Sequence, residues 1–411
     1  MRIAYITADP GVPVFGRKGC SIHVQEVLRA LAGQGAQIDL FATNCAGEPL
    51  PDLENIRLNP LSPAPKGELA IREQKCLAAN DSLRAALESS GPFDLVYERY
   101  SLWSFAGMEY ASKARTPGLL EVNAPLIEEQ AEHRGLIDRL SAESVAKRVF
   151  SAASSLVAVS EEVAAYLRCS PFAQGKVHVI PNGVNPDRFP CHSTPALPRE
   201  PGVFTVGFVG SMKPWHGLEI LLEAFGQLNA CYPSSRLVLV GDGTERERLV
   251  AQAESRGLAA AVRFVGAIPA DQIPAYLASM DVAVAPYPKL QNFYFSPLKV
   301  YEYMAAGLPV IASRIGQIEQ LVSSDVTGLL VEPGDVSALA TALERIRSEP
   351  ELGLRLGLAA RSKVLSEHTW DSAVRRILSL AGIAPSVHDE SRQSPVSHSP
   401  DLESGILESL S

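Results

Sequence analysis

Residues 295–313 read FSPLKVYEYMAAGLPVIAS, and this stretch predicts a helix that runs directly into a buried strand. Pro297 suits the first turn of a helix, because its missing N–H would have no partner there. Gly307 is typical of a residue that ends a helix, and the apolar run 308–312 has the length of a buried strand. A helix that feeds a strand is the repeating unit of a parallel sheet covered by helices.

The start of this helix also predicts a binding site for an anion. The turn is formed by Ser296, Pro297, Leu298 and Lys299. Free backbone N–H groups and the positive end of the helix dipole attract negative charge there, and Lys299 adds an ammonium group. Glu302, about one turn later, is within reach of hydroxyls attached to the anion. This arrangement suits a nucleotide diphosphate and its ribose; the alternative is an ordinary capped helix.

Apolar segments of strand length alternate with segments of helical period through both halves of the 411-residue chain. This alternation favours α/β architecture with two doubly wound parallel sheets, whose ligands bind at the carboxyl ends of the strands. The predicted strands are 3–7, 37–42, 95–97, 118–122, 156–160 and 177–180 in the first half, and 204–209, 236–240, 262–265, 282–285, 309–312 and 328–331 in the second.

Composition sets the predicted boundaries of the domains. Five prolines between positions 186 and 201 mark a linker. The segment 356–380 has a helical pattern, and the chain beyond it is rich in Ser, Pro, His and acidic residues, which is typical of disorder. The expected organisation is an N-terminal domain (1–190), a linker (191–201), a C-terminal domain (202–365), a last helix (366–383) and a disordered tail (384–411).

Bulk composition argues against several classes of protein. The hydrophobic content of 46% and the charged content of 20% are those of a soluble globular protein. The net charge of −9 argues against sequence-independent binding to nucleic acid, which needs a basic surface. The six cysteines lack metal-ligand spacing, so no metal site is expected. The N-terminus lacks the pattern of a signal peptide, and no apolar run reaches the length of a membrane span. We therefore expect a reduced, cytoplasmic protein.

The loop after the first strand predicts one wall of the cleft. Gly16 and Gly19 let the backbone approach a ligand. Ser21 is a candidate cap for the helix that follows, and His23 is then expected in the first turn of that helix, facing the cleft. A histidine in such a helix is otherwise a capping or surface residue.

The loop after strand 204–209 predicts a second group of ligand contacts. Gly210 allows close approach, Ser211 follows it, and Lys213 offers a compact positive charge for phosphate. His216 is either part of this site or packs at the start of the next helix. Strand-end turns that suit a nucleotide are weaker candidates: Gly241, Asp242, Val265 and Gly266.

Polar residues that follow two strands of the first half are expected to line the cleft opposite the donor. The candidates for contact with an acceptor are Glu98, Arg99, Glu121, Asn123 and Arg134. The alternative for each is a solvated ion pair at the rim of the cleft. Residues 181–184 read PNGV, and we interpret this tight turn as a hinge.

The order and spacing of these motifs resemble those of retaining glycosyltransferases of family 4, which have the GT-B fold. The resemblance extends from Arg2 to Ala381. It implies that Glu302 binds the ribose, that the preceding turn binds the diphosphate, and that His23 contacts the donor sugar. It also implies that the last helix crosses back to the N-terminal domain. Trp370 is then either an anchor there or part of the core of its own domain.

Four positions depart from the family pattern. Tyr294 stands where the family usually has a second Glu, eight residues before Glu302. Cys20 replaces a glycine of the first loop, Ser211 replaces an arginine, and His216 replaces a lysine. The resemblance therefore supports a nucleotide site more strongly than a contact between Tyr294 and the donor sugar. Lys213 is the nearest cation that can replace the arginine missing at Ser211.

The function implied is that of a hexosyltransferase-like enzyme of EC 2.4, metal-independent and retaining, in polysaccharide or glycoconjugate biosynthesis. The donor is a nucleotide diphosphate sugar, and the acceptor is a glycan, a lipid-linked molecule or a small molecule. The residues assigned to catalysis are His23, Lys213, Lys299 and Glu302. No cofactor and no nucleic acid partner are expected, and peripheral contact with the inner membrane face is an option.

Three alternatives differ in class. A nicotinamide dehydrogenase would share the fold, but no strand is followed by G-x-G-x-x-G with an acidic residue about twenty positions later. A GT-B sugar-nucleotide epimerase would act on the donor without an acceptor. A non-catalytic nucleotide-sugar-binding subunit is suggested by the residues at Tyr294, Cys20 and Ser211.

Overall fold

The computed structural model describes residues 1–63 and 67–384, which form two separate parallel sheets covered by helices. The strands of the first sheet are β1 (Arg2–Thr7), β2 (Gln37–Ala42), β3 (Arg57–Pro60), β4 (Leu95–Arg99), β5 (Gly118–Val122), β6 (Ser155–Ala158) and β7 (Val177–Val179). The strands of the second are β8 (Phe204–Val209), β9 (Ser235–Val240), β10 (Val262–Gly266), β11 (Val282–Ala285), β12 (Val310–Ser313) and β13 (Leu329–Val331).

The helices of the N-terminal half are α1 (Gly19–Gly33), α2 (Leu69–Ser90), α3 (Ala106–Ala114), α4 (Leu126–His133), α5 (Arg139–Ala152) and α6 (Glu161–Arg168). Those of the C-terminal half are α7 (Leu218–Cys231), α8 (Arg246–Ser255), α9 (Ile273–Leu277), α10 (Leu298–Ala305), α11 (Gln317–Leu321), α12 (Val336–Ser348), α13 (Pro350–Glu367) and α14 (Trp370–Leu380). No helix within the described ranges has the length and apolar character that a membrane crossing requires.

The strand orders are β3-β2-β1-β4-β5-β6-β7 and β10-β9-β8-β11-β12-β13, and every pair is parallel. The first strand of each half of the chain, β1 or β8, lies in the interior of its sheet, and the strand order reverses next to it. The carboxyl ends next to this reversal form the crevice in which such sheets bind ligands. The prediction of two doubly wound domains is confirmed, and the loops after β1 and β8 lie at the two crevices.

One strand was absent from the prediction. β3 pairs in parallel with β2, but most of its side chains are exposed. An edge strand needs no apolar run, so its sequence carries none of the periodicity that marks the other strands. The first sheet ends at Val179 and the second begins at Phe204; the domain boundaries proposed around the linker stay predictions. The tail from residue 385 onward lies outside the described residues.

The last helix crosses back to the N-terminal domain. α14 packs on α1, and Trp370, Val374 and Leu378 share a buried core with Val24 and Leu28 of α1. Trp370 is therefore an anchor in the N-terminal domain and does not belong to the core of its own domain. Its ring makes an edge contact with the ring of His23, with the centroids 5.0 Å apart.

The segment 356–380 with the helical pattern is divided between α13 and α14, and the last helix, expected at 366–383, is α14 (Trp370–Leu380). The N–H of Val184 donates to the carbonyl of His368 at 2.9 Å, and the N–H of Trp370 donates to the carbonyl of Val184 at 3.1 Å. A Cβ on Gly183 would lie 2.5 Å from the backbone of Thr369 and Trp370. The two chain segments are therefore in close backbone contact here, and the interpretation of residues 181–184 as a hinge stays a prediction.

Two expected helix starts are shifted. α1 begins at Gly19, so Ser21 lies inside the helix and does not cap it, and His23 lies in the second turn. α10 begins at Leu298, with Pro297 immediately before it. Gly307 follows the end of α10 with a φ of 73°, as predicted for the residue that ends this helix.

We expect Trp370→Ala to lower the free energy of unfolding by about 3–5 kcal/mol, because it removes a large buried side chain from the contact between α14 and α1. Trp215→Ala is the matched control, since Trp215 is 37% exposed and should change stability by less than about 1 kcal/mol. Urea unfolding followed by circular dichroism measures both. Equal effects of the two substitutions would show that Trp370 anchors nothing.

Candidate active site

Lys299 places a buried ammonium group at the carboxyl edge of the second sheet. Its nitrogen has no hydrogen-bond partner among the described residues and lies 4.3 Å from the ring centre of Phe208 and 5.2 Å from that of Tyr287. Burial lowers the pKa of Lys299 to about 7, and Glu302 opposes this only in part. A cation held against two aromatic faces, with no carboxylate bonded to it, is prepared to receive an anion.

Two further groups predicted for the phosphate lie next to this ammonium. His216 donates from Nδ1 to the carbonyl of Ser211. Burial, followed by the charges of Lys299 and Lys213, lowers the pKa of His216 to about 3. His216 is thus neutral at physiological pH, and both lysines lie close enough to the imidazole for their positive charges to lower its pKa. A neutral imidazole would be a poor replacement for Lys213 as the second cation of a phosphate site.

The glycine turns at the ends of β8, β9 and β10 meet beside Lys299. A Cβ on Gly210 would lie 3.1 Å from the Lys299 nitrogen, and a Cβ on Gly241 would collide with the carbonyl of Gly210. The N–H of Gly241 donates to the carbonyl of Gly266 at 2.8 Å. The side chain of Asp242 accepts from the N–H of Gly243 at 2.7 Å, so it stabilises its own turn. Val265, before Gly266, packs on the core of this domain.

Glu302 lies one helical turn from Lys299 and is paired with a residue that the sequence did not single out, Arg188, in the proline-rich passage just before the predicted linker. Arg188 Nη1 lies 3.0 Å from Glu302 Oε1 and 3.6 Å from Glu26 Oε1 of α1. Glu26 is also paired with Arg29 at 2.8 Å. Burial raises the pKa of Glu302, and Arg188 counteracts it. One guanidinium therefore connects the proposed ribose carboxylate with the helix that carries His23.

A polar network holds His23 on the N-terminal side of the cleft. Its Nε2 lies 2.7 Å from Glu121 Oε1. The same carboxylate accepts from Asn123 Nδ2 at 2.6 Å, from Arg99 Nη1 at 3.2 Å and from the hydroxyl of Tyr97. Burial opposes the charge of Glu121, but His23, Arg99 and Tyr97 outweigh it and hold the pKa of this carboxyl well below its usual range. Glu121 is thus an ionised group that positions His23 and Asn123.

One of the predicted acceptor contacts, Glu98, does not line the cleft, and another, Arg134, forms the exposed ion pair that was its alternative. Glu98 is fully buried and accepts from the hydroxyl of Ser104; burial raises its pKa to about 7, with Ser104 acting against the shift. It does not face the cleft, because β4 is covered on both faces and only Arg99 reaches its edge. Arg134 is 57% exposed and pairs with Glu129 at 2.9 Å, so it is not part of the network around Glu121.

The loop before α1 combines one crowded glycine and one open one. A Cβ on Gly16 would lie 2.9 Å from the hydroxyl of Ser21. The carbonyl of Gly16 accepts from Gln25 Nε2 at 3.0 Å. No atom lies within 4 Å of a Cβ built on Gly19. Cys20 packs at the margin of the buried core around α1, so its replacement of a glycine is accommodated by the fold.

Tyr294 spans the two domains. Its hydroxyl donates to Glu129 Oε2 of α4 at 3.0 Å, and its carbonyl accepts from the hydroxyl of Ser160 at 3.0 Å. Two residues on, the hydroxyl of Ser296 accepts from the N–H of Asn182 at 3.3 Å. The position at which the family usually has a second carboxylate is therefore used here as a domain contact. Leu298 also packs against the N-terminal core.

The structure adds residues for which the sequence gave little signal. Phe208 and Tyr287 read as ordinary core aromatics, and Glu26 as one charge of an amphipathic helix. Of these residues, only Arg188 had a sequence feature that could have marked it as functional, because it is a cation between Pro186 and Pro190. Over residues 1–63 and 67–384 no group of three or more His, Cys, Asp and Glu side chains is arranged to hold a metal ion; the metal independence of the reaction stays a prediction.

Comparison with known proteins assigns the family. The model of Glycosyltransferase Family 4 matches residues 17–188, and that of Glycosyl transferases group 1 matches residues 203–349. A D-inositol 3-phosphate glycosyltransferase of Acidothermus cellulolyticus is 29% identical over 408 residues, which cover 92% of this chain and 88% of that protein.

Solved structures share the arrangement of both domains. Sucrose-phosphate synthase from Thermosynechococcus elongatus is 26% identical and superposes with a TM-score of 0.71, covering 92% of this chain and 98% of that one. HepE of Anabaena, solved in complex with UDP-glucose, is 20% identical with a TM-score of 0.67, covering 93% and 99% of the two chains. With both halves of the chain matched by family models and the two-sheet fold shared throughout, the chain belongs to glycosyltransferase family 4 and is a GT-B glycosyltransferase.

Proposed function

We propose that this glycosyltransferase is retaining, needs no metal ion, and transfers the sugar of a nucleotide diphosphate sugar to a hydroxyl of an acceptor. The observation that carries the proposal is the buried ammonium of Lys299, which has no hydrogen-bond partner among the described residues. It lies beside Gly210 and one helical turn from Glu302. A diphosphate fits this position, because it supplies the anionic hydrogen-bond partner that the ammonium does not have in the protein.

The leaving group is stabilised by cations and backbone. As the bond to the anomeric carbon breaks, negative charge accumulates on the diphosphate. Lys299 and Lys213 supply positive charge there, and Gly210 allows the backbone to approach closely. A preorganised set of donors in a site that excludes water performs electrostatically what a metal ion does in other transferases.

Glu302 and His23 hold the two ends of the donor. Glu302 accepts hydrogen bonds from the ribose hydroxyls, and Arg188 fixes its carboxylate at 3.0 Å. His23, held between Glu121 and the ring of Trp370, contacts the sugar from the N-terminal domain. Both residues position reacting groups, and such positioning reduces the entropic part of the barrier.

A mechanism without a protein nucleophile agrees with the state of the carboxylates. Glu121 is engaged by Asn123, Arg99 and Tyr97, and Glu302 is paired with Arg188. Tyr294 offers no carboxylate. Retention is then explained by departure of the diphosphate and arrival of the acceptor on the same face of the sugar. The leaving diphosphate accepts the proton of the acceptor hydroxyl.

The names of related proteins support a proposal for the biological context. HepE was solved with UDP-glucose, and a D-inositol 3-phosphate glycosyltransferase is among the related proteins. We propose a role in polysaccharide or glycoconjugate biosynthesis, with a glycan, a lipid-linked molecule or a small molecule as the acceptor, in the cytoplasm or peripherally at the inner membrane face.

The proposed reaction is tested by transfer assays in EDTA with a panel of UDP-, GDP- and ADP-sugars and pooled acceptors, with the anomeric configuration of the product determined by NMR. We expect transfer to continue in EDTA and the configuration of the donor to be kept. An inverted product contradicts retention, and activity that returns only with Mg²⁺ or Mn²⁺ contradicts metal independence. Donor hydrolysis or epimerisation without transfer would favour the epimerase, and nucleotide-sugar binding with no turnover would favour a binding subunit.

Glu302→Ala should weaken binding of the nucleotide sugar by roughly 10- to 100-fold, because each hydrogen bond to a charged group contributes about 1.5–3 kcal/mol. Glu302→Gln should lose less, since its amide oxygen still accepts from one hydroxyl. Calorimetry measures both variants, with Glu319→Ala as the control at an exposed carboxylate. Unchanged affinity of Glu302→Ala would remove Glu302 from the ribose site.

Binding of a nucleotide sugar should weaken above pH 7. Below the pKa of about 7 that burial gives Lys299, the ammonium is already charged, and binding needs no proton. Above it a proton must be taken up with the ligand, so the affinity should fall by up to about tenfold per pH unit. Calorimetry between pH 6 and 8.5 measures the slope. Lys299→Arg should flatten it, because a guanidinium stays charged; a flat profile for the unmodified protein would contradict the assignment.

A further inference from the structure

A cavity of about 400 Å³ lies on the N-terminal domain, away from the donor contacts described above. It opens at the carboxyl ends of β1 to β4, where Ala8, Thr43, Leu61 and Ser101 follow the four strands. The middle of α2, from position 75 to position 83, forms its other wall. The carboxyl edge of a doubly wound sheet is where ligands bind, so this cavity has the position of a binding site.

The wall of the cavity is mostly apolar. Pro10, Leu61, Ala79, Leu83 and Trp103 contribute to it from four separate segments of the chain. Among the described residues that line it, the one charged side chain is that of Lys75, which is exposed. A cavity with this lining favours a ligand group that loses water readily.

Polar side chains in the wall direct their hydrogen bonds into the protein. Thr43 Oγ1 donates to the carbonyl of Ala8 at 3.2 Å. Asn80 Nδ2 donates to the carbonyls of Leu77 and Trp103, both at 2.8 Å. Asn80 Oδ1 accepts the N–H groups that begin α3. Ser104 donates to the buried Glu98. A polar ligand would gain no hydrogen bond from these three side chains and would lose part of its own hydration; Ser62, Lys75 and Ser101 are the other polar residues of the wall.

The cavity adjoins the proposed reaction centre along the chain. Ala8 and Pro10 belong to the loop that leads into α1 and His23. Ser101 is two residues from Arg99, so their Cα atoms are at most about 7 Å apart, and Arg99 contacts Glu121 in the network that holds His23. A molecule with one end in the cavity can therefore present its other end to the cleft.

We propose that this cavity binds the hydrophobic aglycone of the acceptor, an alkyl or aromatic group attached to the polar part that receives the sugar. The inference rests on the proposed transfer reaction and narrows its acceptor to an amphipathic class. The cavity volume agrees with such an occupant, since cavities of about 150 Å³ hold benzene and this one is larger. Free, fully polar sugars would use the cleft without using the cavity.

Two glucosides with the same head group test the inference. Calorimetry on the full chain compares n-octyl β-D-glucopyranoside, kept below its critical micelle concentration, with methyl β-D-glucopyranoside. We expect the octyl compound to bind at least about 100-fold more tightly, because each buried methylene contributes roughly fourfold in affinity. Equal affinity of the two glucosides would overturn the proposal.

Neighbouring residues of α2 provide a matched pair of variants. Ala79→Trp fills the cavity and should reduce the affinity for the octyl compound at least tenfold, whereas Ala78→Trp, on the exposed side of the same helix, should leave it unchanged. Ala79→Leu replaces Ala79→Trp if the larger residue prevents folding. Both variants should bind the nucleotide sugar with unchanged affinity, which checks the fold independently of the acceptor.

The outcomes separate this inference from the proposed function. Octyl binding that survives Ala79→Trp places the alkyl chain elsewhere and overturns the inference. Octyl binding that Ala79→Trp abolishes, together with absence of transfer to any acceptor, supports the cavity and contradicts the transfer reaction. Transfer to purely polar acceptors with no octyl binding supports the reaction and contradicts the cavity.

Discussion

The geometry of the cleft depends on one contact between chain segments, the pairing of Val184 with the turn between α13 and α14. Its two backbone hydrogen bonds fix the point at which the chain returns to the N-terminal domain. The residues proposed for the reaction are divided between two sheets, so their alignment has to come from contacts of this kind. Trp370, directly after the turn, reaches His23. A segment from the end of the described chain thus helps to build the wall on which the donor sugar is proposed to lie.

Local signals in the sequence were enough to select Lys299, Glu302 and Gly210, which the structure brings together, because the start of a helix and the end of a strand have their own residue preferences. Their roles stay proposals. Partners brought together by folding were missed: Arg188 is 114 residues from Glu302, and Glu129 is 165 residues from Tyr294. Glu98 was misplaced for another reason. Its strand is buried on both faces, so a position near the strand end does not tell which side chain reaches the cleft.

Three buried ionisable groups in this cleft are stabilised in different ways. Glu121 is surrounded by donors of its own domain, and its charge is secure. Glu302 depends on a single guanidinium, that of Arg188. Lys299 has only aromatic faces beside it and Glu302 at longer range. Burying a charge without a partner costs free energy. The ammonium of Lys299 therefore destabilises the ligand-free site, and an anion bound at the position proposed for phosphate would remove this cost.

Arg188 has a consequence for the movement of the domains. The same Nη1 atom lies near Glu302 of one domain and Glu26 of the other. Rotating the domains apart would separate Arg188 from one of these carboxylates. Glu26 would keep its pairing with Arg29, whereas Glu302 would lose the cation that counteracts the effect of burial on its pKa. Opening of the cleft and the charge balance around Glu302 therefore form one coupled equilibrium. In the proposed donor complex, a ribose that draws Glu302 towards itself would free Arg188 to pair more closely with Glu26, so the passage around Arg188 would respond to the bound nucleotide.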